Sequence, residues 1–269
     1  MNAFIHHFSF EFRTGLRDKN LLLLYYLFPL GFYLMMGFIM PEINPAFGEV
    51  IMPAMVTFAV LAATMLGLPD PLVNAREKGI FRSYKINGVP ALSILVIPAL
   101  TTLLHLSIVG AIIVFSAPFL FEAPVPTNWP AFLLVYLALA LSCIGIGLLI
   151  GVVSPSTRMT VLFSQLIFVP SMLLGGLMMP YSFLPEAAGL VARILPATHA
   201  MNAFNGLAMG KTADFSAWVS VLALALSGIV ALALALFLFR WDRQHDGRGR
   251  PLALGLLALA PLLATIILV

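Results

Sequence analysis

The stretch NGLAMGKT, residues 205–212, ends like the loop that binds nucleotide phosphates. Such a loop reads G-x-x-x-x-G-K-[ST], because its backbone N–H groups must be numerous enough to wrap around the phosphates. Here Gly206 makes the loop one residue short, and Asn205 stands where the first glycine is required. The spacing therefore argues against a nucleotide site in this chain.

Other familiar catalytic patterns are absent from the sequence. The 269 residues contain no H-E-x-x-H, no G-x-S-x-G and no Cys/His cluster, and Cys143 is the single cysteine. We therefore predict a protein that is not an enzyme, with no catalytic, cofactor-binding or metal-ligating residue. If it moves a solute uphill, the energy must come from another polypeptide.

Composition assigns the chain to the membrane. It is 61% hydrophobic and 9% charged, with a mean hydropathy of +1.05, whereas a soluble domain carries about 25% charged residues. Seven apolar stretches are each long enough to cross a bilayer as a helix, and none contains Asp, Glu, Lys or Arg. A proton or sodium relay therefore lacks obvious ligands. The stretches are residues 21–40, 50–68, 91–117, 130–153, 159–179, 217–239 and 251–269.

The basic residues predict the orientation of these spans. Segments 1–20, 69–90, 154–158 and 240–250 hold 12 of the 14 Lys and Arg, and cytoplasmic loops are the ones enriched in these residues. The N-terminus is therefore expected in the cytoplasm. Lys211 then lies outside the cell, where ATP is scarce, and the basic pI reflects topology and does not indicate nucleic-acid binding.

The N-terminal 20 residues form a separate predicted unit. Phe4, Phe8, Phe12 and Leu16 repeat every four residues, which places one apolar stripe along a helix. Such a helix lies in the membrane interface. It serves either as an anchor for the first span or as part of a coupling device, and the sequence favours neither.

The segment 69–90, PDPLVNAREKGIFRSYKINGVP, is the longest charged stretch between two spans. Pro69 is expected to end the second span and begin a new helix, with Asp70 as its cap. Phe81 and Tyr84 are expected to be exposed, and exposed aromatic residues are favoured anchors of protein interfaces. The segment is thus either a helix that contacts a cytoplasmic partner or a solvated connector.

The segment 180–216 is too apolar for an ordinary loop. It predicts two short helices, at about 185–195 and 198–209, separated by Pro196. Neither is long enough to span, so we expect them to re-enter the outer leaflet. Gly210 is expected to end the second helix, and Lys211 to lie at the level of the headgroups.

Few polar or small residues inside the spans carry specific predictions. His105, with Thr101 one turn before it, predicts an interhelical hydrogen bond, with a functional role as the less favoured alternative. The Gly147-x-x-x-Gly151 spacing predicts a face for close helix packing. Gly175-Gly176 in the fifth span predicts either a close helix crossing or a bend before Pro180.

The order and spacing of these motifs resemble the membrane subunit of type-2 ABC transporters, the exporter-like permeases, over roughly residues 1–243. The resemblance rests on the stretches NAREKGIFRSYKINGVP, GGLMMPYSFLP and ILPATHAMNAFNGL. Two departures are evident: Leu195 stands where the family usually has Asn before the proline, and a seventh span follows the six of the family. The resemblance implies an interfacial helix at 1–20 and a six-span permease domain at 21–243. Residues 244–269 add a short loop and the seventh predicted span.

The same resemblance implies partners and site residues. ATP and Mg would be bound by a separate ATP-binding subunit, and a second permease chain, identical or different, would complete the transporter in a prokaryotic plasma membrane in contact with its lipids. Contacts with the ATPase would come from Arg76, Glu77, Lys78, Gly79, Phe81, Arg82 and Tyr84. An external gate would be formed by Pro180, Leu184, Pro185, Pro196, Thr198 and His199.

A substrate path is expected where two permease chains meet, at spans one, two and five. Its apolar and aromatic candidates imply export of a hydrophobic or amphipathic cargo, such as a lipid-linked molecule, a peptide or a drug. The candidates are Tyr25, Tyr26, Phe28, Tyr33, Met55, Phe58, Phe163 and Phe168. A membrane scaffold or sensor that transports nothing, and a secondary carrier, remain alternative functions.

Overall fold

The computed structural model describes residues 13, 17–241 and 254–268. The four apolar residues of the predicted amphipathic stripe, Phe4, Phe8, Phe12 and Leu16, lie outside the described residues, and so does the chain from 242 to 253. All the regular secondary structure in the described part is helical, and turns and loops connect the helices. Six helices are long and apolar enough to cross a membrane, in agreement with the first six predicted stretches. These spanning helices, first to sixth, are Lys19–Ile43, Ile51–Glu77, Ala91–Phe121, Trp129–Val153, Thr157–Leu174 and Ala217–Leu238.

Within the described residues, three short α-helices lie between the spanning helices. The loop helix, Ile80–Ile86, lies between the second and third spanning helices. The two hairpin helices, Glu186–Ala192 and Pro196–Ala203, lie between the fifth and sixth. Pro196 begins the second hairpin helix, because proline fits the first turn, where its missing N–H has no partner. Two short helices were predicted here; their depth in the membrane remains a prediction.

The second spanning helix forms the centre of the bundle, and 94% of its most apolar window is buried within the chain. The corresponding fractions for the first and fifth are 28% and 22%. The predicted subunit interface of spans one, two and five is therefore wrong for span two, which the chain itself covers. Periodicity could not reveal this, because a helix that is apolar on every face carries no directional signal.

The second spanning helix is also longer than predicted. A π-helical turn, Ala63–Gly67, leads to an α-helical segment, Pro69–Glu77, that continues in the same helix. A helix does begin at Pro69, but Asp70 is not its cap: it lies in the first turn, where its Oδ2 accepts a hydrogen bond from Asn74 Nδ2 at 2.8 Å.

Glycines bring the helices into close contact. A Cβ atom added at Gly147 would lie 2.6 Å from the carbonyl oxygen of Thr64, and one added at Gly151 would lie 2.9 Å from Leu72 Cδ1. The fourth spanning helix therefore packs its Gly147–Gly151 face directly on the second, as the spacing predicted. On its other side, Gly145 and Gly228 give the fourth and sixth helices a similar contact.

The C-terminal helix packs against this bundle. A 3₁₀ turn, Leu256–Leu259, leads into the α-helix Ala260–Leu268. Ser227 Oγ of the sixth spanning helix donates a hydrogen bond to the carbonyl oxygen of Ala258 at 2.7 Å. The described helix is shorter than the roughly 20 residues that cross a bilayer, so the seventh span remains a prediction.

The close contact at Gly147 gives a stability test. The substitution Gly147→Leu should lower the free energy of unfolding by about 1–3 kcal/mol, because the backbone of the second helix leaves no room for a side chain. The matched control is Gly31→Leu, since Gly31 is exposed with nothing within 4 Å of its added Cβ. Thermal unfolding in detergent measures both; equal midpoints would contradict the packing.

Candidate functional sites

The loop helix is held at both ends by glycines in the left-handed region. Gly79 has φ 72° and separates it from Glu77, the last residue of the second spanning helix. Gly88 has φ 73° and follows its end. Residues that carry a Cβ atom rarely adopt positive φ angles, so glycine at these two positions allows the backbone to change direction sharply. The loop helix therefore follows directly from the central helix of the bundle.

Arg76 fastens this region to the fourth spanning helix. Its Nη1 donates a hydrogen bond to the carbonyl oxygen of Val152 at 2.7 Å, and its Nη2 donates to that of Ser154. These carbonyls lie at the C-terminal end of a helix, where the last turn lacks backbone partners and carries partial negative charge. The guanidinium of Arg76 is thus engaged inside the chain, although the family resemblance placed it among the ATPase contacts.

Phe81 is buried, which corrects the expectation that it is exposed. Only 4% of it is accessible, and its ring centroid lies 5.4 Å from that of Phe239 near the end of the sixth spanning helix. Tyr84 is half-buried. The apolar side of the loop helix therefore faces the bundle, because packing there removes its apolar area from water within the chain itself.

The outer face of the loop region consists of other residues. Ile86 is 79% exposed, and it was not singled out from the sequence. The available signal was a large apolar residue that directly follows Lys85 and lies one turn after Arg82. The exposed charged residues around it are Glu77, Lys78, Arg82 and Lys85.

A cavity of about 230 Å³ lies beneath the loop helix, between it and the first three spanning helices. Phe81 and Tyr84 form one wall, and Tyr25, Thr102 and His105 contribute to the opposite one. The loop helix and the spans therefore enclose partly open space, beside which Phe81 and Tyr84 pack against the apolar core.

Three tyrosines proposed for the substrate path bond to the third spanning helix. The Tyr25 hydroxyl lies 3.2 Å from Thr102 Oγ1, and the Tyr33 hydroxyl lies 2.9 Å from Ser116 Oγ. The Tyr26 hydroxyl lies 2.6 Å from His105 Nδ1, which confirms the predicted interhelical bond of His105. Their polar ends thus join the first and third helices within one chain.

The remaining path candidates divide into two places. Phe28 and Phe58 have ring centroids 5.5 Å apart, and Phe168 of the fifth helix lies 6.0 Å from Phe58. Met55 is buried one turn before Phe58 on the same helix. Phe163 instead lines a cavity of about 210 Å³ beside the C-terminal helix. A continuous row of all eight side chains is therefore not formed in this chain.

The predicted gate residues also divide. Pro180 and Pro185 are exposed and Leu184 is half-buried, whereas Pro196, Thr198 and His199 are all buried. The buried group holds the hairpin together: Thr198 Oγ1 donates to the carbonyl oxygen of Ala192 at 2.6 Å. The second hairpin helix is therefore an interior element of the fold.

His199 and Asn202 form a buried polar network with the start of the sixth spanning helix. His199 Nε2 lies 2.8 Å from the carbonyl oxygen of Arg193, so Nε2 carries the proton, and Nδ1 lies 3.4 Å from Ser220 Oγ. Asn202 Nδ2 donates to Ser220 Oγ at 3.0 Å, and its Oδ1 accepts from the backbone N–H of Asp214 at 2.8 Å. Sequence reasoning missed Asn202.

Burial determines the protonation state of His199. It lowers the pKa of this imidazole to about 4, because a charged ring would lose its hydration. The neutral ring is therefore the form that the network holds.

The NGLAMGKT stretch forms a helix end, as predicted. Gly210 has φ 66°, and the backbone N–H of Lys211 donates to the carbonyl oxygen of Asn205 at 2.9 Å. Lys211 Nζ forms an ion pair with Glu49 Oε2 at 2.8 Å, and this contact lowers the pKa of the Glu49 carboxyl. The pairing places the turn between the first two helices on the same side of the bundle as Lys211, in agreement with the topology.

Comparison with known families places this architecture. The family model described as ABC-2 type transporter matches residues 3–209. The chain belongs to this family. It is a multi-pass membrane protein of the permease type, as the motifs indicated. The sixth spanning helix and the C-terminal helix follow the matched region. No match was found among curated proteins or among solved structures.

The protonation of His199 gives a pH test. Its folded-state pKa lies below the ordinary value of about 6.5, so the unfolded chain binds the proton first. The contribution of the neutral His199 to the free energy of unfolding is therefore present above about pH 6.5. It is lost as the pH falls from 6.5 towards 4. In His199→Gln, which retains an N–H donor, the loss of thermal stability between pH 7.5 and 5 should be smaller than in the wild type. Equal losses would show that His199 is not the titrating group.

Proposed function

We propose that the chain is the membrane half of an ATP-driven exporter, which acts with a second permease chain and with separate ATP-binding subunits. In this proposal ATP and Mg are held by the partner, and this chain contributes no hydrolytic site. The membrane is the plasma membrane of a prokaryote, with the N-terminus in the cytoplasm. Family membership supports the permease role, and the distribution of Lys and Arg supports the orientation. The contacts with the partner subunits rest on the geometry described next.

The loop helix is the observation that carries the proposal. Its outer face presents Arg82, Lys85 and Ile86, with Lys78 exposed just before it, while Phe81 anchors its inner face in the bundle. An exposed apolar side chain surrounded by charges has the composition of a protein interface. The ATP-binding subunit would dock on this outer face.

The bonding around the loop helix supports a mechanical link. The second spanning helix extends from Ile51 to Glu77 and ends two residues before the loop helix. Arg76 ties that end to the fourth helix. A displacement of the loop helix on ATP binding would therefore act on the central helix and its neighbour together, and the differential contact in the two nucleotide states would supply the driving energy.

The first and fifth spanning helices are the proposed face for the second permease chain, since they are the least covered. Between them the rings of Phe28, Phe32, Phe58 and Phe168 form an aromatic cluster over the central helix. Phe58 and Phe168 are buried, and Phe28 and Phe32 are partly exposed. The exposed edge of this aromatic cluster suits a hydrophobic or amphipathic cargo. Export would then follow a path beside this cluster when the two chains separate.

The docking face can be tested with the ATP-binding subunit that co-purifies with the wild-type chain. The substitution Ile86→Asp should reduce co-purification of that subunit at least tenfold, because it places a negative charge at the centre of the proposed contact. The matched control is Val125→Asp, since Val125 is 55% exposed in the loop between the third and fourth spanning helices. ATPase bound equally to both variants would contradict docking at the loop helix.

The orientation can be tested independently. In Ala213→Cys, a membrane-impermeant maleimide should label intact cells, because Ala213 is exposed in the predicted external loop. Cys143 is buried in the fourth helix and should give little background. Labelling that requires permeabilised cells would invert the proposed topology.

A further inference from the structure

The loop-helix cavity is the space of about 230 Å³ between the loop helix and the first three spanning helices. Each of these three spanning helices is irregular beside it. The first contains the π-helical turn Leu23–Leu27, and the second contains the π-helical turn Ala63–Gly67. The third contains Pro98, which lines the cavity and has no backbone N–H to donate within its helix. π-Helical turns are frequent at functional sites, so the convergence of these irregularities marks the cavity as a candidate binding site.

The wall that the two π-helical turns form is held in place. Tyr25 of the first turn packs on Gly67 of the second, where an added Cβ atom would overlap the Tyr25 ring. The Tyr25 hydroxyl lies 3.2 Å from Thr102 Oγ1, and its ring centroid lies 5.5 Å from that of His105. These contacts fix the Tyr25 side chain against its neighbours, so the cavity is preformed, as ligand sites usually are.

The lining of the cavity favours an uncharged aromatic ligand. Among the described residues that line it, none is Asp, Glu, Lys or Arg, and an unpaired charge is costly to bury. Phe81 and Tyr84 stand on the loop-helix side, and Tyr25 stands on the opposite side. Aromatic side chains pair favourably with a further ring in stacked or edge-to-face arrangements. The chemistry of the walls therefore matches a neutral ring.

The volume limits the size of that ring. An apolar cavity of about 150 Å³ accommodates benzene. The loop-helix cavity is larger, at about 230 Å³, and therefore has room for a compound of one or two rings.

Ser93 supplies a polar group at the edge of the cavity. It lies in the first turn of the third spanning helix, lines the cavity and is half-buried. Within the described part of the chain, its hydroxyl forms no hydrogen bond, so it is available to a ligand. A hydroxyl oxygen accepts from an N–H or O–H group, and small aromatic groups with one such donor suit the boundary between water and lipid.

We propose that the loop-helix cavity binds small neutral aromatic molecules that carry one N–H or O–H group. The ring packs against Phe81 and Tyr84, and the polar group donates a hydrogen bond to Ser93 Oγ. The bound molecule thus lies between the loop helix and the first and third spanning helices. The inference concerns binding alone and does not rest on the transport proposal.

Equilibrium dialysis of the purified full chain in detergent, corrected with protein-free micelles, tests the ligand class. The probes are indole, 1-methylindole and indole-3-acetate, which share the bicyclic ring. Indole should bind in a saturable manner, 1-methylindole about fivefold more weakly because it lacks the N–H donor, and the anionic indole-3-acetate should not bind. Uptake of indole that does not saturate, or equal affinity for indole-3-acetate, would overturn the proposal.

A larger side chain in the cavity tests the location. Ala75 is half-buried and lines the cavity, so Ala75→Phe should weaken indole binding by about tenfold or more. The matched control is Ala187→Phe, since Ala187 is exposed in the first hairpin helix, outside the cavity lining. Equal indole affinity in the two variants would refute the location.

Removal of one oxygen tests the polar contact and remains decisive if Ala75→Phe does not fold. Ser93→Ala should weaken indole binding about fivefold and leave 1-methylindole binding unchanged. The matched control Ser83→Ala, on the exposed side of the loop helix, should leave both affinities unchanged. Unchanged indole binding in Ser93→Ala, or equal losses for the two probes, would contradict the assignment of Ser93.

Discussion

Enclosure of the second spanning helix by its neighbours is the constraint on which the rest of the structure depends. A helix without an exposed face cannot gain from lipid contact, so its neighbours must approach closely enough for dispersion forces to hold them. Gly147 and Gly151 permit that approach, because atoms of the second helix occupy the space that a side chain at these positions would fill. The end of the central helix is then bound by Arg76 to the fourth helix, which connects the bundle to the loop helix.

Polar groups inside the bundle serve the same cohesion. The hydroxyls of Tyr25, Tyr26 and Tyr33 each reach a polar atom of the third helix. In a hydrocarbon environment an unpaired hydroxyl is costly, so pairing fixes the rotation of the first helix relative to the third. The aromatic side chains of the first helix therefore have two roles: the tyrosines hold the chain together, and Phe28 remains for the cluster beside the fifth helix.

The two ends of the bundle differ in chemistry. One end carries the loop helix, with basic groups and Ile86 on its outer face. The other carries a hydrogen-bonded hairpin whose centre is His199 and Asn202, beside a polar cavity that the Lys211–Glu49 ion pair lines. A chain with an apolar middle and two distinct polar ends presents different surfaces to the two sides of a membrane.

The sequence by itself determined the membrane class, the six apolar helices, the helix end at Gly210 and the family, because these depend on composition, length and local backbone preference. Only the tertiary structure decided that Phe81 faces inward, that the second helix is central, and that Asn202 and Glu49 matter. Helices that are apolar all round have no preferred face. Their rotation and neighbours are set by packing between segments distant in sequence, which local patterns do not encode.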